Sequence, residues 1–95
     1  MSLPALDPVD VLRSLVRFDT SNPPGNEREC LEYVADLLRG AAIEPQFLGR
    51  PERPNLVARL PGRGEAPPLL LYGHVDVVPA SAAEWTHPPF AAELV

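Results

Sequence analysis

The sequence predicts an α/β fold, and three observations carry that reading. Two stretches with helical periodicity come first, segments with strand character follow, and the last of these is a continuous apolar run rather than an alternating one. An apolar run without alternation suits a strand covered on both faces, as in a parallel or mixed sheet between helices. The order helix, helix, strand, strand, strand therefore points to an α/β layer sandwich.

The first helix has a mechanism for starting. Asp7 can cap free amides, Pro8 suits the first helical position, and Asp10 sits at the positive end of the dipole. Val9, Leu12, Leu15 and Val16 then repeat at helical spacing, which predicts a helix to about Phe18. Thr20-Ser21-Asn22-Pro23-Pro24-Gly25 ends it, because two prolines and a glycine forbid continued helix. A second helix is expected from Asn26, with Glu29 placed to complete a capping box. Leu31, Val34, Leu37, Leu38 and Ala41 form its apolar face, and Gly40 is positioned to terminate it.

Glu44 to Leu48 is a first strand candidate, and Asn55 to Leu60 a stronger one, with Leu56, Ala58 and Leu60 on one face. Pro61 to Pro67 reads as a turn. Pro68-Leu69-Leu70-Leu71-Tyr72-Gly73-His74 is the apolar run, ending in polar groups. Phe90 to Val95 looks like a further strand under way with no closing turn, so the sequence reads as one that continues past Val95.

With 95 residues the chain can form one small domain at most, with a modest core. A hydrophobic fraction of 45% and a charged fraction of 22% place it among globular rather than disordered proteins. The net charge of -5, with all eight basic residues being scattered arginines, excludes nucleic-acid binding as the expected role. No signal pattern follows Met1-Ser2-Leu3, and no apolar run approaches the ~20 residues of a membrane span. A cytoplasmic protein without membrane partners is the expectation. Cys30 stands alone, which excludes an internal disulfide, and its apolar neighbours predict a buried structural thiol.

The chemistry concentrates at Gly73-His74-Val75-Asp76. In extended backbone, residues two apart share a face, so His74 and Asp76 would point the same way at a strand end, where α/β sheets place their ligand crevices. A neutral imidazole is a good zinc ligand, and a carboxylate on its other nitrogen fixes tautomer and orientation. By itself, His-x-Asp is a short and common pattern, and a histidine near a strand end is more often structural.

The longer string Leu70 to Pro79, followed by Glu84-Trp85 and Pro88-Pro89-Phe90, resembles the M20 family of metallopeptidases. That family includes aminoacylases, acetylornithine deacetylases, succinyl-diaminopimelate desuccinylases and carboxypeptidases. Asp19 to Glu27 is similar to the family's opening loop between its first two helices. The resemblance implies that residues 1–95 form the N-terminal portion of a three-layer α/β/α zinc-hydrolase catalytic domain, with a separate dimerisation domain and a homodimer in the whole enzyme. It implies that His74 binds one zinc of a two-metal centre, with cobalt or manganese as alternatives, and that Asp76 is an active-site residue supporting the histidine. The reaction implied is attack of metal-activated water on the amide of an N-acyl amino acid or small peptide, with a glutamate as general base. The bridging aspartate, the Glu-Glu pair and the distant histidine of that family have no counterpart between Met1 and Val95, so activity is expected of a longer protein rather than of these residues alone. The rival reading is a non-catalytic truncated homologue acting as a binding or assembly module. Within the family, the strings Asp76-Val77-Val78-Pro79 and Trp85-Thr86-His87-Pro88-Pro89-Phe90 look nearest to the aminoacylase and carboxypeptidase branch.

The remaining candidates have ordinary local roles. His87 lies between Thr86 and Pro88 in a proline-rich loop and is not expected to bind metal; Trp85 and Phe90 are expected to anchor that loop on the core. Asn22 is assigned to turn formation and Glu27 to the dipole of the second helix. Ser14 has no adjacent base, and Gly62-Arg63-Gly64 lacks the context of a phosphate loop.

Overall fold

A computed structural model describes residues 5–95; the opening Met1-Ser2-Leu3 lies outside them. Helix α1 spans Pro8–Val16 and begins as the sequence predicts. The Asp7 carboxylate accepts the Val9 amide at 2.9 Å, Pro8 opens the helix and Asp10 lies in its first turn. A turn carries the chain on to Phe18, whose ring meets Tyr33 at 5.7 Å between centroids and so ties this end to the second helix.

Helix α2 spans Arg28–Gly40 and buries Cys30 and Ala35. The expected capping box is absent. The cap position falls to Glu27, in helical backbone and with no side-chain capping bond, because its carboxylate is taken by Arg53. Gly40 is the last helical residue, while the positive φ that closes the turn belongs to Ala42, at 60°. Burial raises the Cys30 thiol's pKa, as its reading as an inert structural group requires.

Strands β1 (Gln46–Arg50) and β2 (Arg53–Val57) form an antiparallel hairpin in the register Gln46↔Val57 to Arg50↔Arg53. Both strand candidates are thus real but displaced. The two-residue connection Pro51-Glu52 sets the pairing, and Gly49 takes the φ of +89° needed beside it. Pro54 is tolerated within β2 because both strands of a two-stranded sheet are edge strands. The hairpin packs on α2 through β2, and the Arg28 guanidinium lies 5.4 Å over the Phe47 ring.

The third and fourth expected strands are not formed. Leu69, Leu70, Leu71 and Tyr72 are 80–93% exposed with no ladder partner, and Phe90 to Val95 passes through a turn. Burial on both faces requires flanking strands and two covering layers, and a two-stranded hairpin supplies neither. The described residues therefore have mixed α/β content, and no three-layer sandwich or mixed sheet forms among them. Trp85 likewise remains 57% exposed rather than anchored, while Phe90 is half-buried. No helix among the described residues is long and apolar enough to cross a membrane.

Beyond the hairpin, one backbone contact matters most for the site. Ser21 and Val77 form an isolated parallel bridge, which brings the α1–α2 loop beside the segment after the apolar run.

Candidate metal centre

His74 and Asp76 are adjacent in space, as their spacing predicts. The His74 Nδ1 lies 3.1 Å from Asp76 Oδ1 and 2.9 Å from the Asp76 carbonyl oxygen. Both partners only accept, so a neutral His74 carries its proton on Nδ1 and leaves the Nε2 lone pair bare. The ring itself is 83% exposed, and Nε2 is free to meet a ligand. This is the arrangement in which a carboxylate fixes the tautomer of a metal-binding imidazole.

Asp76 is held in turn. The Asn22 amide nitrogen donates to Asp76 Oδ2 at 3.1 Å, so each carboxylate oxygen has its own partner. That Asn22 bond is the main reason the carboxyl is held below the usual aspartate range, with the bond to His74 adding to it. Thr20, which is buried, donates from Oγ1 to the Val75 carbonyl at 2.6 Å. Around the bridge, Val77 donates to the Thr20 carbonyl at 3.1 Å and Asn22 donates to the Val77 carbonyl at 2.8 Å.

Glu27 and Arg53 form a second cluster nearby. Arg53 approaches with Nε 3.1 Å from Oε2 and Nη2 2.5 Å from Oε1, a two-pronged pairing of guanidinium and carboxylate. The arginine's hydrogen bonds hold the Glu27 carboxyl below its ordinary range against the opposing effect of burial. Gly25 makes room for the pair: with φ at +91°, a Cβ there would lie 2.4 Å from Arg53 Nε. Glu27, Arg50, Arg53, Asn55, His74 and Asp76 line one cavity of about 460 Å³.

The structure adds distant partners to two residues read as local: the Asn22 side chain reaches Asp76, and the Glu27 carboxylate is engaged by Arg53. Asn22 lies within the Ser21–Gly25 turn, as expected, and just before it the Asp19 carboxylate accepts the Ser21 amide and hydroxyl. No local pattern signals an Asn22–Asp76 contact across 54 positions. His87 is engaged by Glu93 at 2.9 Å and lines a different concavity, next to α1. Among the described residues no group of three or more metal-ligating side chains converges. His74 thus offers one of the three or four ligands that a zinc site needs.

Comparison with known proteins supports the resemblance read from the residues. The chain is 44% identical over 87 residues to a succinyl-diaminopimelate desuccinylase of Methylobacterium radiotolerans, an M20 enzyme; the alignment covers 86% of this chain and 21% of that protein. This chain thus spans about a fifth of the length of this curated relative. No family model and no solved structure matches the chain.

Proposed function

We propose, from the premise that this chain is a relative of the M20 metallohydrolases over most of its length, that it supplies one wall of a zinc amidohydrolase centre. The observation that carries this reading is the His74–Asp76 pair, with Nδ1 3.1 Å from the carboxylate oxygen and the ring exposed on its Nε2 side. His74 binds one metal through Nε2. Asp76 keeps the imidazole in that tautomer and rotation, and its own ionisation is favoured by Asn22. A bound zinc pair supplies Lewis acidity toward the amide carbonyl and lowers the pKa of water. The remaining metal ligands and the general base come from sequence that this chain does not contain. The proposed substrate is an N-acyl amino acid, with N-succinyl compounds first because the matched relative is named for desuccinylation.

A chimera tests this. Residues 1–95 replace the matching fifth of the Methylobacterium radiotolerans enzyme, and amide hydrolysis is followed with and without a chelator. Chelator-sensitive hydrolysis that His74→Ala abolishes is the expected result. A chimera that folds and binds zinc yet hydrolyses equally well with His74→Ala would sink the assignment.

A further inference from the structure

The loop between α1 and α2 grips the segment Val75–Val77 at four points. Three of them act on the backbone: Thr20 Oγ1 on the Val75 carbonyl, the Val77 amide on the Thr20 carbonyl, and the Asn22 amide on the Val77 carbonyl. These fix where the segment lies but not how the Asp76 carboxylate is turned. The fourth is the Asn22 side chain on Asp76 Oδ2, opposite the oxygen that meets His74. A carboxylate held at one oxygen can still rotate about its last torsion, where side chains have a broad energy well. Bonds at both oxygens define its plane, and that plane together with the Asp76 carbonyl oxygen, 2.9 Å from Nδ1, sets the direction of the imidazole.

We propose that Asn22 is a positioning residue for the metal ligand: it clamps the Asp76 carboxylate in the plane that keeps the His74 proton on Nδ1 and Nε2 bare. The proposal rests on the reading of His74 as a ligand, and Asn22 acts only through Asp76. Turn formation does not explain its side chain, because the turn that contains Asn22 is closed by backbone alone, the Gly25 amide donating to the Ser21 carbonyl.

The test is a nitrogen-resolved NMR measurement of the His74 ring in the 95-residue chain, at an alkaline pH where imidazole is neutral. Thr20→Val is the comparison variant, since it removes a backbone grip and leaves the Asn22–Asp76 bond in place. The expected result is a His74 protonated mainly on Nδ1 in the parent chain and in Thr20→Val. Asn22→Ala and the isosteric Asn22→Asp, which lacks the donor, should move the proton population toward Nε2. His87, whose partner is Glu93, should not follow. Equal effects of the Asn22 and Thr20 variants would overturn the clamp, because general loop integrity would then be what His74 reports. An unchanged tautomer in both Asn22 variants would overturn it as well. Failure of the metal reading itself would show elsewhere, as metal retained by His74→Ala in the chimera.

Discussion

A buried carboxylate stays charged only if it is paired, and Glu27 meets that condition through the two-pronged bond from Arg53. Its folded pKa lies below the ordinary 4.5, so the pair's stabilisation is fully present above that pH and is lost as pH falls through the lower, folded value. Arg53 keeps 40% of its side chain exposed, which moderates the energy. Glu27→Gln should therefore cost about 1–2 kcal/mol at neutral pH. In urea unfolding followed against pH, the gap between parent and variant should close on acidification below about 4.5; a gap that persisted or widened there would contradict the pairing. Gly25 belongs to the same cluster. Gly25→Ala should lose about 1–2 kcal/mol from its positive φ, besides displacing the guanidinium, and no loss on unfolding would mean that the left-handed turn is not required. His74 and Asp76 were legible at this scale because their contact is local. Asn22 was not, since nothing in a turn-like Ser-Asn-Pro-Pro string points across 54 residues.

Among the elements, what could be read in advance is what is written locally. Asp7-Pro8 and the spacing of Val9, Leu12 and Leu15 specify α1 without reference to the rest of the chain, and α2 is likewise carried by its own apolar stripe. The hairpin's boundaries depend on the Pro51-Glu52 turn and on Gly49, so strand propensity alone placed both strands about two residues away from where they pair. Leu69 to Tyr72 shows the opposite limit. Its apolarity suits the centre of a sheet, but a strand exists only through its neighbours, and none of the described residues pairs with it. Hydrogen exchange separates the two cases. The Leu69, Leu70 and Leu71 amides should exchange at close to unprotected rates, while Asn22 and Val77, bonded across the bridge, should be slowed. Protected amides at Leu69 to Leu71 would show a ladder that this account lacks.

For the molecule as a whole, the apolar surfaces of α1 and of the Leu69–Tyr72 run are left largely uncovered. Leu12 is 60% exposed and Tyr72 is 93% exposed. The radius of gyration of 15.7 Å exceeds the roughly 12 Å expected of a compact domain this size. In a three-layer sandwich these are the surfaces that helices and strands would bury against one another. The proposed metal site has the same character: one imidazole, held by Asp76, itself bonded by Asn22, presents a free nitrogen that needs further ligands to hold zinc. If His74 binds and Asp76 orients, metal stoichiometry in the chimera with the Methylobacterium radiotolerans enzyme separates the two roles. His74→Ala should lose metal together with activity, whereas Asp76→Asn should keep most of its metal and lose turnover by roughly 10–100-fold. Equal metal loss in the two variants, or full metal retention in His74→Ala, would contradict the account.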